Sequence, residues 1–349
     1  MWLILHSLEF DSRRIFGLAF WIKIQNASLF ILLLKNAVLK FRKLGRTKLL
    51  VSEIGFGAWA ISGHGYGPTD DKESVRAIHK ALDLGVNIID TADSYGNGHG
   101  EALIGRVLRD RGDRHTIIAT KFGWDFYSKA GIRGNLKREY ISFAVEQSLK
   151  RLQRDWIDIY QIHNSKPQSI LREDVYESLD ILKKHGKIRF YGVSSNHIRD
   201  GIEAISTGKP DVIQVRYNIL DQEAEKCLLP LAFKNDIGII AREPLSCGLL
   251  TGKYRADSKF PKTDHRRGWD MSYLGESVKR VRKLVYLENN ERSLAQSAIR
   301  FALSGEAVST VIPGGKTTDQ VAENIAASTV DLSHEELLGI RKLFINNFE

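Results

Sequence analysis

Apolar positions along this chain fall into two alternating patterns. From Leu39 onward, short runs rich in Ile, Val and Tyr are separated by amphipathic stretches of about 12 to 15 residues. That alternation predicts repeated strand and helix units that build a parallel sheet. Eight strands are expected, at Glu53–Ala58, Asn87–Thr91, Thr116–Lys121, Asp158–His163, Arg189–Ser194, Val212–Arg216, Gly238–Arg242 and Ser309–Pro313. Runs such as IIAT and GIIA are apolar on both faces, as a strand must be when helices cover one side and packed side chains fill the other. Eight of them predict an α/β fold closed into a (β/α)8 TIM barrel.

Three stretches stand outside the repeat. FRKLGRTKLLVS, with a turn at Gly45 and Arg46, reads as an N-terminal β-hairpin closing the barrel floor. Leu245 to Ser272 is long, polar and punctuated by Gly248, Gly252 and Pro261, which suggests a functional loop over the mouth. After Asp331, Ser333 followed three residues later by Glu336 is a capping box, predicting an extra C-terminal helix outside the barrel.

Residues 1–38 read differently. Their apolar stretch from Ile15 to Leu34 is broken by Lys23, Gln25 and Asn26, whereas a membrane helix wants about 20 apolar residues with few interruptions. Arg13 and Arg14 precede an apolar run as in a signal peptide, but no small-residue cleavage site follows clearly. We read 1–38 as an N-terminal extension, disordered or translated from upstream sequence, with a native start expected near Val38 or Leu39. The barrel domain is then 39–349, and no membrane contact is expected unless the extension is a working part of the protein.

Composition narrows the function classes. With 349 residues and 43% hydrophobic content the chain can bury one large barrel core. Its 51 basic against 42 acidic residues leave +9, which attracts anions. No block of like charges and no basic run interleaved with aromatics accompanies that excess, so nucleic acid is not an expected partner. The two cysteines, Cys227 and Cys247, make neither a disulfide framework nor a metal site, as suits a cytoplasmic protein. Oligomeric state is not legible.

In such barrels the reacting groups stand at the C-terminal strand ends. The second strand ends near Asp90, with Tyr95 five residues later; the third ends in Lys121 and the fourth in His163. Singly, each has a plain explanation as a helix cap, a solvated amine or a satisfied core imidazole. Together they form a chemical set. A phenol with an ordinary pKa of about 10 is a poor proton donor near neutrality, and Lys121 is expected to lower it. Asp90 would hold Lys121 charged, and His163 would orient a carbonyl. The set suits protonation of an oxygen as hydride reaches its carbon.

Two glycine motifs compete with that reading. Gly96, Gly98 and Gly100 resemble a dinucleotide fingerprint, but the third glycine falls one residue early and no acid follows at the required distance. They are expected to form a flexible turn after Tyr95, with Glu101 favourable at the start of the next helix. PGGKTT lacks the first glycine of a phosphate loop, yet Gly314, Gly315 and Lys316 ahead of a helix still predict an anion site.

NIIDTADSYGNGHGE, IIATKFGW, DIYQIH, YGVSS, VIQVRYN and VIPGGKTTDQVAENI, in this order over about residues 39 to 345, resemble the aldo-keto reductase superfamily. The resemblance implies an NADPH-dependent reductase of small aldehydes or ketones, NADH being the less favoured cofactor. It implies Tyr95 as general acid within a tetrad completed by Asp90, Lys121 and His163. Ser194 and Gln214 would hold the nicotinamide carboxamide, with Ser195 where many members have asparagine. Arg242 stands where an aromatic commonly stacks on the ring. Pro244, Leu245, Gly248 and Lys253 would belong to the loop folding over the cofactor. Gly314 and Gly315 would belong to the motif that binds the adenosine end, with Lys316 facing a 2′-phosphate, Gln320 replacing a frequent arginine there, and Glu323 and Asn324 near the adenine. Trp59, Trp124 and Asn164 would shape the substrate pocket. The alternative is a cofactor-binding regulatory subunit, resembling the channel-associated members of the superfamily.

Overall fold

A computed structural model describes residues 39–63, 65–128, 131–163 and 170–349; the expectations for residues 1–38 lie outside the described residues. The elements in chain order are β1 (Phe41–Lys43), β2 (Leu50–Ser52), β3 (Phe56–Gly57), α1 (Asp71–Asp83), β4 (Ile88–Asp90), α2 (His99–Asp110), β5 (Ile117–Phe122), β6 (Trp124–Asp125), β7 (Arg133–Gly134), α3 (Arg138–Leu152), β8 (Ile157–His163) and α4 (Glu173–Lys184). There follow β9 (Ile188–Ser194), α5 (Ile198–Ser206), β10 (Val212–Arg216), α6 (Leu228–Lys234), β11 (Gly238–Arg242), α7 (Met271–Arg282), α8 (Leu294–Ala302), β12 (Val308–Val311), α9 (Thr318–Ala326) and α10 (His334–Ile345).

Strands β3, β4, β5, β8, β9, β10, β11 and β12 hydrogen-bond in that spatial order, every pair parallel. The ring closes where Gly55 N donates to Val311 O at 2.8 Å and Gly57 N to Pro313 O at 3.1 Å. A Cβ on Gly57 would come within 2.6 Å of Ile312 O, so this closure requires glycine. The expected barrel is therefore present, with each strand within a few residues of its predicted place.

Alternation along the strands sorts side chains into two cores. Ile88, Ile117, Ala119, Ile159, Val212 and Ile240 point inward and pack with Leu44 and Val51. Ile89, Ile118, Tyr160, Ile162, Ile213, Val215 and Ile239 point outward and pack among the helices. The predicted hairpin is β1 paired antiparallel with β2. It plugs the N-terminal floor: Leu44 lies against Gly238, and Arg46 reaches the carbonyls of Gly208, Lys209 and Pro210. Among the described residues, the large cavity opens at the C-terminal mouth.

The capping box of Ser333 and Glu336 starts α10 as predicted. Two features differ. The loop assigned to Leu245–Ser272 already enters α7 at Met271, where Asp270 caps the helix by accepting from Tyr273 N. The small hairpin of β6 and β7 is an addition to the predicted elements, since two-residue strands carry no measurable periodicity.

Candidate active site

The same alternation that fills the barrel sets its chemistry. Asp90 follows Ile88 by two residues, Lys121 follows Ala119, His163 follows Ile159 and Gln161, and Gln214 follows Val212. Asp90, Lys121 and His163 thus occupy the last inward positions of their strands, and Gln214 shares the inward parity of Val212. Tyr95 hangs over them on the turn after β4, where its N–H donates to Ala92 O at 3.2 Å.

Lys121 is the hub. Its Nζ donates to Asp90 Oδ1 at 2.7 Å, to Thr91 O at 2.8 Å and to the Tyr95 hydroxyl at 3.2 Å. Lys121 and Asp90 are buried, with 0% and 3% of their side chains exposed, so each charge depends on the other. The second Asp90 oxygen accepts from Gln214 Nε2 at 2.6 Å and Gln161 Nε2 at 3.4 Å. Burial alone would depress Lys121, but Asp90 and Tyr95 outweigh it and hold the ammonium above its ordinary pKa. Tyr95 moves opposite to the sequence expectation. Burial raises it, and this effect exceeds the lowering by Lys121, so the resting phenol holds its proton more tightly than in water. Burial, Lys121 and Arg242 push His163 well below its ordinary value, leaving a neutral ring. Its Nδ1 lies 3.3 Å from Ser94 Oγ.

These groups face a cavity of about 960 Å³, large enough for a dinucleotide with a small substrate. Besides Asp90, Tyr95 and His163 it is lined by Trp59, Ser194, Gln214, Arg242, Pro244, Leu245, Gly248, Lys253, Gly314, Gly315, Lys316, Gln320, Glu323 and Asn324. Ser194 Oγ donates to Gln214 Oε1 at 3.4 Å, so the two polar groups adjoin at one end of the cavity. At the other end Gly314 and Gly315 precede α9, whose cap Thr317 accepts from Gln320 N. A Cβ on Gly315 would meet Val321 Cγ2 at 2.9 Å, so this turn presses against its helix as an anion cradle requires.

Some expected residues stand elsewhere. Ser195 is buried, bonded through N and Oγ to the Gln214 carbonyl, and does not line the cavity; Asn196 does. The register of β9 turns Ser194 inward, so Ser195 faces the helices. Trp124 lies on β6 and its carbonyl accepts from Tyr140, also outside the lining. Asn164 lies outside the described residues. Arg242 is held by Glu243 and donates through Nη2 to Ser195 O at 3.2 Å and Asn196 Oδ1 at 3.1 Å. Lys316 Nζ donates to the carbonyls of Tyr66 at 2.5 Å and Pro68 at 3.0 Å. The turn after Tyr95 is packed: a Cβ on Gly96 would lie 2.1 Å from Ser62 O. Glu101 does more than favour a helix start, since it is buried and accepts from Arg151 Nε at 2.7 Å and Thr120 Oγ1 at 2.6 Å.

Several lining residues carry little or no sequence signal. Ser94 carries some because it adjoins Tyr95; Gln161, which stands outside the lining and donates to Asp90, shares the inward parity of His163. Tyr66, Glu243, Cys247 and Arg266 carry none. Arg266 donates to Asp264 Oδ2 at 2.6 Å and lies 4.8 Å from the centre of the Tyr66 ring, a contact across two hundred residues that no local pattern announces.

Comparison with known proteins agrees with this geometry. The sequence profile described as Aldo/keto reductase family matches residues 53–344. Aldo-keto reductase YhdN of Bacillus subtilis is 33% identical over 81% of this chain and 87% of its own. The NADH-specific methylglyoxal reductase of Escherichia coli is 31% identical over 86% of this chain and 97% of its own. The holo form of aldo-keto reductase AKR11C1 from Bacillus halodurans superposes with a TM-score of 0.74 at 30% identity, covering 88% of this chain and 96% of that one. The chain belongs to the aldo/keto reductase family and is an NAD(P)H-dependent oxidoreductase.

Proposed function

We propose that the protein reduces small aldehydes or ketones to alcohols, reversibly, with NADPH preferred. The observation that carries this reading is the Tyr95 hydroxyl, 3.2 Å from the buried Lys121 ammonium at the mouth of a dinucleotide-sized cavity. When bound there, a reduced nicotinamide supplies hydride to the carbonyl carbon. Tyr95 gives its proton to the developing alkoxide, and Lys121 stabilises the phenolate left behind. Asp90 keeps Lys121 charged and aimed. Neutral His163 orients the carbonyl oxygen, and Ser194 with Gln214 offers polar groups to the nicotinamide carboxamide.

Local charge favours NADPH over NADH. Lys253, Arg266 and Lys316 lie near one another at the glycine-turn end, which favours the extra phosphate. Free thiols at Cys227 and Cys247 accord with a reducing cytoplasm. The test is consumption of NADPH and NADH with a panel of small carbonyls that includes a 2-oxoaldehyde, the class named for the Escherichia coli relative. Absence of turnover with every member, together with absence of binding of either cofactor, would refute the reading.

A further inference from the structure

His163 is fixed on three sides. Its backbone ends β8 in register with Ser194 of β9. The Tyr95 ring packs edge-on with centroids 5.7 Å apart, and Nδ1 is 3.3 Å from Ser94 Oγ. Ser94 is itself held between anchored neighbours, since Asp93 N donates to Lys121 O and Tyr95 N to Ala92 O, both at 3.2 Å. Ser94 and His163 both line the cavity.

A neutral imidazole carries one N–H, and the neighbours of its two nitrogens decide which one bears it. Among the described residues, His163 Nε2 makes no hydrogen bond to the protein, and Ser94 Oγ has His163 Nδ1 as its one partner. If the hydroxyl accepted from Nδ1–H, its own proton would find no acceptor among the described residues. If it donates to Nδ1, the bond uses its proton and the ring nitrogen's lone pair together. The second arrangement leaves the hydrogen on Nε2.

We propose that Ser94 is a positioning residue, donating its hydroxyl proton to Nδ1 and so fixing His163 as the Nε2–H tautomer that offers the cavity a donor. The opposite tautomer would turn a lone pair toward a substrate carbonyl oxygen and repel it. This step rests on the reductase reading above.

The experiment uses the full-length protein with 15N-labelled histidine, comparing wild type, Ser94→Ala and Ser94→Thr, with His163→Gln to assign the signals. In wild type, Nδ1 is expected in the pyridine-like range and Nε2 in the pyrrole-like range. Ser94→Ala moves Nδ1 toward the shift of an unbonded nitrogen and lowers kcat for carbonyl reduction by about ten-fold with an unchanged NADPH Kd. Ser94→Thr restores both. A pyrrole-like Nδ1 in wild type overturns the proposal, as does a Ser94→Ala enzyme whose kcat stays within about two-fold of wild type. A wild type with no turnover defeats the reductase reading, while the nitrogen shifts still decide the tautomer.

Discussion

Lys121 Nζ stands 3.2 Å from the Tyr95 oxygen while donating to Asp90 Oδ1 at 2.7 Å. The ammonium therefore sits between an acid that must release a proton and a carboxylate that must not accept one. Because burial holds the phenol protonated at rest, the ammonium acts chiefly after the proton has left, when it faces phenolate. The phenolic oxygen is then indispensable to the chemistry and irrelevant to cofactor grip. Tyr95→Phe should lower the single-turnover rate of carbonyl reduction by about 10² to 10⁴-fold. Cofactor affinity should hold, and a variant retaining most of the wild-type rate would remove Tyr95 from its role.

The pH profile follows from two shifts of opposite sense. His163 works neutral and is pushed well below its ordinary value, so its acid limb moves below about 6.5. Tyr95 works protonated and is raised, so its alkaline limb moves above about 10. The single-turnover rate of reduction should be flat between these limits. Stopped-flow measurement finding a titration inside that window would contradict one of the two assignments.

The Asp90–Lys121 pair has a cost that appears only when it is broken. Lys121→Met leaves a buried carboxylate whose remaining donors, Gln214 and Gln161, carry no charge. The expected destabilisation is about 3 to 5 kcal/mol, read from the denaturant midpoint. Adding Asp90→Asn to Lys121→Met removes the stranded charge and should recover much of that stability while activity stays lost. A double variant no more stable than the single one would mean that the pair is not held as two charges.

The position of that pair is legible in the amino-acid sequence. Hydrophobic alternation sets the strand parity, and parity alone sends Asp90, Lys121, His163 and Gln214 to one mouth because each follows an inward apolar residue by an even step. Parity also explains why Ser195 misses the cavity: its odd step turns it outward and leaves Asn196 at the lining. Net electrostatics are less legible. Lys121 does lower Tyr95, but how strongly burial opposes it depends on packing from several strands. Trp124 stands away from the cavity because the chain folds back at the β6–β7 hairpin, an element too short to leave a pattern. The contacts of Lys316 and Arg266 with the segment around Tyr66 depend on closure of the whole ring.

Asp93 couples the stability of the fold to pH. Its carboxylate is fully buried with both oxygens unpartnered among the described residues. Burial, then Glu101, raises its pKa well above the ordinary value, with Arg151 opposing. The native state thus binds a proton that the unfolded chain has released, so stability is greatest below about pH 4 on this account and declines as pH rises toward the native pKa. Asp93→Asn should match wild type at acid pH and exceed it progressively by about 1.4 kcal/mol per pH unit within that window. Denaturation midpoints that run parallel with pH for the two proteins would show that Asp93 ionises freely.

Lys316 has two demands on one amine. It donates to the carbonyls of Tyr66, Gly67 and Pro68, and burial lowers its pKa with Arg266 and Lys253 contributing. A phosphate entering here meets an ammonium that is already partnered, so its gain is the difference between anion and carbonyl acceptors, increased by the charge. Lys316→Met should therefore weaken NADPH binding by about ten-fold and NADH binding by less than about two-fold, measured by fluorescence titration. The same substitution removes the tie on the segment at Tyr66, whose amide hydrogen exchange should quicken without cofactor. Equal losses for the two cofactors would assign Lys316 to holding that segment and leave the extra phosphate to Lys253 and Arg266.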